Sequence, residues 1–127
     1  MGKFIIEGGQ RLKGEITPQG AKNEALQILC ATLLTSEAVT IHNLPRIKDV
    51  LLLIQLLRDL GLDIEQLGDT SYRFRATEVN LDYFQTEAYI QQSASLRGSV
   101  MILGPLLARY GKAVLPKPGG DKIGRRR

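Results

Sequence analysis

Apolar residues recur along the chain in short blocks, separated by glycine, proline and charged residues. "KFIIEGG" (3–9) is an apolar run closed by two glycines, and "RLKGEITPQG" (11–20) alternates Leu12, Gly14 and Ile16 with polar residues. Both predict short strands, the second ended by Pro18 and Gly20. "AKNEALQILCATLLTSE" (21–37) is apolar at 25, 26, 28, 29, 30, 31, 33 and 34. That pattern is nearly all round and predicts a buried helix. "AVTIHNLP" (38–45) predicts a strand with Val39 and Ile41 on one face, since strand side chains alternate. "IKDVLLLIQLLRDLG" (47–61) predicts a second helix stopped by Gly61, which suits the left-handed C′ position. "DIEQL" and "SYRFRA" alternate on either side of the turn residues "GDTS" and predict a β-hairpin. "TEAYIQQSASLRGSVMILGPLLARYG" (86–111) reads as helical, interrupted at Gly98, Gly104 and Pro105, with a break near the proline. "KAVLPKP" (112–118) predicts a last strand.

The order contains an echo. "ILCATLLTSEAVTI" (28–41) and "ILGPLLARYGKAVL" (102–115) align without gaps at an offset of 74 residues, each running from a helix into a strand. A duplicated α-β unit fits this, as does the general likeness of any two helix-to-strand junctions. Either way the fold class is mixed α/β (α+β). If the unit is duplicated, the second copy is incomplete.

Composition bounds the function. At 127 residues, 43% hydrophobic and 24% charged, the chain matches one soluble globular domain or part of a larger one. No apolar run reaches the roughly 18 residues of a membrane span, and no signal peptide opens the chain, so a cytoplasmic location is expected. The single Cys30 lies among aliphatics and reads as a packed core thiol; the single His42 reads as a solvated strand residue rather than a metal ligand. The net charge of +4 resides in the last six residues. Without Lys122, Arg125, Arg126 and Arg127, 13 basic residues face 13 acidic ones. A neutral body argues against electrostatic binding of nucleic acid.

Three places carry candidate chemistry. In "PQGAKNEAL" (18–26) a glycine loop leads into a helix beginning near Lys22, followed by Asn23. A helix start presents free N–H groups to anions, and a lysine there opposes the dipole unless an anion is bound; a solvated lysine is the other reading. In "LPKPGGDKIGRRR" (115–127), Gly119 and Gly120 permit an anion-binding turn, and Asp121 sits among Lys122, Arg125, Arg126 and Arg127. This describes either a lid closing on a small charged anion or a basic tail. Arg97, in "SASLRGSV" ahead of an apolar stretch, faces either water or a ligand.

Taken together, "ITPQGAKNEALQILCATLL", "LPRIKDV", "SLRGSVMILGPLLARYG" and "LPKPGGDKIGRRR" resemble the UDP-N-acetylglucosamine 1-carboxyvinyltransferases, the enolpyruvyl-UDP-GlcNAc synthases of peptidoglycan synthesis. The likeness runs the length of the chain in order. The sister shikimate-pathway enolpyruvyl transferases normally read "SKS" where this chain has "AKN" at 21–23. The resemblance implies transfer of the enolpyruvyl group of phosphoenolpyruvate to the 3′-hydroxyl of UDP-N-acetylglucosamine, with phosphate released and no metal or organic cofactor. It implies that Lys22 and Asn23 contact the substrates, Lys22 near the phosphate of phosphoenolpyruvate, and that Arg97 and Arg126 hold the same anion. It puts Asp121 at the lid position of the general acid, where most members carry the cysteine attacked by the epoxide antibiotic fosfomycin and some carry Asp.

The resemblance also implies an architecture of two domains, each an inside-out α/β barrel of repeated βαβαββ units, with the site in the cleft between them. Residues 1–18 would then be strands belonging to the other domain, and 19–127 about one and a half units of the first. The general base and much of the sugar-nucleotide site would lie elsewhere. The chain alone is therefore expected to be inactive and, with unpaired strand edges, to self-associate. The reading from another class is a small binding module with a basic C-terminal tail.

Overall fold

The computed structural model describes residues 2–115. Helix α1 (Lys22–Ala31) runs into a 3₁₀ turn (Thr32–Leu34) and is followed by strand β1 (Val39–Ile41) and helix α2 (Lys48–Asp59). The hairpin β2 (Asp63–Gln66) and β3 (Tyr72–Arg75) comes next. A 3₁₀ turn (Leu81–Gln85), helix α3 (Glu87–Ser95), a 3₁₀ segment (Arg97–Ile102) and helix α4 (Leu103–Tyr110) complete the order.

The three strands form one antiparallel sheet in the order β1-β3-β2. Val39 pairs with Phe74, Ile41 with Tyr72, and Ile64 with Phe74, so these apolar side chains share one face. Thr40, Glu65, Arg73 and Arg75 occupy the other, where Arg73 donates to Glu65 at 2.9 Å. This alternation is what lets one face of an antiparallel sheet meet the helices and the other meet water. The helices close over the apolar face around fully buried Leu29, Leu53, Leu57, Phe74, Tyr89 and Leu106.

Local chemistry explains the boundaries. Helix α2 ends as its sequence predicts: Gly61 has φ of 102°, its N–H reaches Arg58 O, and the Leu62 N–H reaches Leu57 O. This pair of bonds satisfies carbonyls the helix leaves open. Helix α3 begins at Thr86, whose hydroxyl oxygen accepts from the Tyr89 N–H at 3.2 Å. The break anticipated near Pro105 falls earlier, at the junction of α3 with the 3₁₀ segment. Leu96 is extended, the Ser99 N–H returns to Leu96 O, and the buried Ser99 hydroxyl donates to Ser93 O at 2.9 Å. Pro105 itself sits in the first turn of α4, where no intrahelical donor is needed.

Several expectations are corrected. The strands predicted at 3–9 and 11–16 are absent: residues 2–21 carry no regular structure, and Phe4, Ile6, Leu12 and Ile16 are more than nine-tenths exposed. Alternation prepares a face, but a strand exists only when another strand takes its hydrogen bonds, and among the described residues none does. The same holds for Lys112–Leu115, the described part of the predicted last strand. Helix α1 is not buried all round. Ala25, Leu26, Leu29 and Cys30 face inward, while Gln27 and Ile28 face out. Cys30 is core, as expected, and burial pushes its thiol up to about 12. His42 is exposed just beyond β1, with Nδ1 3.0 Å from Ser71 Oγ.

Candidate functional site

The loop before α1 is seated on the loop before α2. Gly20 lies so close to the second loop that a Cβ on it would stand 2.1 Å from Asn43 O and 3.1 Å from Pro45 Cδ. Glycine is required here by proximity rather than by dihedral freedom. Asn43 answers with φ of 57°, the left-handed conformation that asparagine tolerates better than most residues. The Leu44 N–H then bonds Thr70 O at 2.9 Å, tying this loop to the hairpin. Between α1 and the 42–45 loop lies an open hollow of about 140 Å³, bordered by Ala21, Glu24, Ile28, Ile41 and His42.

Lys22 is the first residue of α1, and Ala21 ahead of it supplies no side-chain cap. The first-turn amides therefore keep the donor character that attracts anions. Beside them, the Lys22 ammonium forms an ion pair with the Asp49 carboxylate, which belongs to the first turn of α2. Both side chains remain partly exposed. Asp49 is favourably placed for its own helix dipole, Lys22 unfavourably for its own, and the pair offsets the second with the first. Asn23, the next residue, is exposed on α1.

Arg97 opens the 3₁₀ segment that follows α3. Its neighbour Gly98 packs against α1: a Cβ there would lie 3.1 Å from Leu26 Cδ1, one helical turn beyond Lys22. The fold thus gathers Lys22, Asn23 and the Arg97 turn around the N-terminal half of α1. Asp121 and Arg126, with the rest of the glycine-rich basic segment, lie outside the described residues.

Two residues that join separate elements escaped the sequence reading. Asp49 stands within "LPRIKDV", but its spacing signals only an acid at a helix start; its pairing with Lys22 is tertiary. Arg109 reads as a surface charge, yet its guanidinium donates to Leu33 O and Thr35 O, both at 3.1 Å, and lies 5.1 Å from the centre of the Tyr110 ring. It thereby ties α4 to the end of the α1 segment.

The chain is 59% identical over all its 127 residues to the UDP-N-acetylglucosamine 1-carboxyvinyltransferase of Bacteroides fragilis, and spans 29% of that protein's length. The proteins of the same name from Porphyromonas gingivalis and Bradyrhizobium diazoefficiens are 54% and 42% identical, over 100% and 98% of this chain and 29% and 28% of their own lengths. Residues 6–126 match the sequence model of the EPSP synthase (3-phosphoshikimate 1-carboxyvinyltransferase) family. With nearly every residue inside that match, the chain belongs to the EPSP synthase family.

Proposed function

We propose that the protein of which this chain forms a part transfers the enolpyruvyl group of phosphoenolpyruvate to the 3′-hydroxyl of UDP-N-acetylglucosamine, the first committed step of peptidoglycan synthesis in the cytoplasm. The observation that carries this reading is the 54–59% identity, along the whole chain, to proteins named for that reaction. The family description names the shikimate enzyme, but "AKN" at 21–23 in place of "SKS" favours the sugar nucleotide.

In this reaction the methylene carbon of phosphoenolpyruvate takes a proton and the acceptor oxygen bonds to the adjacent carbon as its hydroxyl proton leaves. The bond from that carbon to the phosphate oxygen then breaks, and loss of a methyl proton restores the double bond. Charge accumulates on the phosphate as it departs, and cations fixed around it stabilise that change. Lys22 and Asn23 at the open start of α1, with Arg97 and Arg126, are assigned to the anion. Asp121 is assigned the proton donor. A free Asp has a pKa of about 3.9 and a free Cys about 8.5, so Asp121 needs desolvation in the closed site to hold its proton at neutral pH. Residues 1–18 are assigned to pairing with the second domain, and 19–127 to the repeated βαβαββ units of an inside-out barrel.

The test uses the polypeptide at the full length of its relatives. It should form enolpyruvyl-UDP-N-acetylglucosamine and one phosphate per turnover, lose activity on Asp121→Asn, and escape time-dependent inactivation by fosfomycin for want of a thiol nucleophile. The 127-residue chain should release no phosphate. A full-length protein that uses shikimate 3-phosphate instead overturns the assignment.

A further inference from the structure

We infer that Asp49 is a positioning residue for Lys22, and that the starts of α1 and α2 form one unit built to aim that lysine. The inference rests on the transferase reading above and adds a residue to it. Two independent contacts join the helix starts. Gly20 meets the backbone of Asn43 and the ring of Pro45, which sets the distance between the loops. Lys22 and Asp49 then close an ion pair across the gap.

The pair has a physical purpose beyond stability. A lysine side chain has four rotatable carbons and a compact charge, so nothing in its own chemistry fixes the ammonium in space. Exposed ion pairs contribute little to folding, so stability is a weak reason for this one. Its value lies in orientation, because a cation held in place before reaction stabilises developing charge without reorganisation at that moment. The Asp49 carboxylate is itself held by a backbone that starts an amphipathic, well-packed helix. Leu51 N–H bonds Ile47 O at 3.1 Å and Ile47 N–H bonds Pro45 O at 2.9 Å, so the acid rides on a braced turn. Glu24, the acid of the α1 first turn, makes no ion pair with Lys22 among the described residues.

The direction of the effect separates positioning from other roles. Removing the Asp49 charge leaves more net positive potential at the site, so ground-state affinity for the anionic donor should not fall. Loss of aim should instead appear in turnover, where small misplacements weigh heavily.

The experiment measures kcat and KM for phosphoenolpyruvate in the full-length enzyme, wild type, Asp49→Asn and Asp49→Glu, with thermal melting of each. Asp49→Asn should lower kcat about tenfold or more with KM unchanged or reduced, as expected for lost alignment. Asp49→Glu, which keeps the charge, should recover a substantial part of that loss. Melting temperatures should stay close to wild type. An active wild type with Asp49→Asn within twofold in kcat overturns the inference alone. So does a pair of variants equally impaired and equally destabilised, because that pattern belongs to folding. A wild type that forms no product overturns the transferase reading and this inference with it.

Discussion

At the scale of single residues, close approach and burial decide more than residue type. Gly20 is the sharpest case. With a Cβ position 2.1 Å from a backbone oxygen, Gly20→Ala must push two loops apart. Overpacking of this kind costs about 1–3 kcal/mol, and the urea midpoint should fall accordingly. In the full-length enzyme the same change should displace Lys22. A Gly20→Ala protein with wild-type stability and turnover would contradict the seating of one loop on the other. Burial acts on Cys30 and Tyr89. It raises the thiol from 9.0 to about 12 and the phenol from 10.0 to about 12, the latter while its hydroxyl donates to Val114 O at 2.6 Å. Both groups keep their protons to higher pH in the folded chain than in the unfolded one. The folded state therefore binds more protons between pH 9 and 12, and stability falls as pH rises through that window. Below it the contribution is fully present. Urea midpoints followed across this range should decline for wild type and decline less for Cys30→Ala. A flat profile, or a thiol alkylated at native pH without unfolding, would show that Cys30 is not core.

At the scale of elements, the chain carries its own punctuation. Gly61 and Thr86 mark helix ends through backbone geometry and capping that act locally, and the structure uses Gly61 as the sequence suggests. Hydrophobic period alone identified β1, α2 and the hairpin because each pattern is complete within its own segment. The 3₁₀ segment Arg97–Ile102 is different. It is tied back to α3 by Ser99, whose buried hydroxyl donates to the Ser93 carbonyl. Arg109 is the clearest element-scale prediction. Arg109→Met keeps the aliphatic stem but removes two hydrogen bonds to carbonyls of the α1 segment. Hydrogen bonds to charged groups contribute about 1.5–3 kcal/mol, so a loss of about that size is expected in denaturant titration. Arg109→Lys, with a point charge in place of a planar fork, should restore only part of it.

For the whole molecule, the open features are apolar surface and strand edges. Phe4, Ile5, Ile6, Leu12 and Ile16 lie exposed on residues 2–21, and the outer edges of β1 and β2 have no partner among the described residues. Such edges recruit further strands. We predict that the 127-residue chain self-associates at micromolar to millimolar concentration, and that removing residues 1–17 reduces this. Sedimentation velocity across that range decides it, and a monomer throughout would sink the idea. Among the described residues, no helix is long and apolar enough to cross a membrane. The chain spans 29% of the length of its Bacteroides fragilis relative.

What the sequence determined by itself is what depends on nearest neighbours along the chain. Helix stops, turn residues, the alternating hairpin and the core thiol were legible because propensity, capping and period act over a few residues. The candidate site was partly legible: Lys22 at a helix start and Arg97 beside a glycine both follow from local pattern, while the packing of the Gly98 turn on α1 does not. Only the tertiary structure decided that Asp49 faces Lys22, that Gly20 must be glycine for want of space, and that Arg109 caps a distant segment. It also decided that 3–9 and 11–16, for all their apolar pattern, are not strands here. The physical reason is common to these cases. Each depends on a partner distant in sequence, and a one-dimensional pattern records which groups need partners without saying which ones they meet.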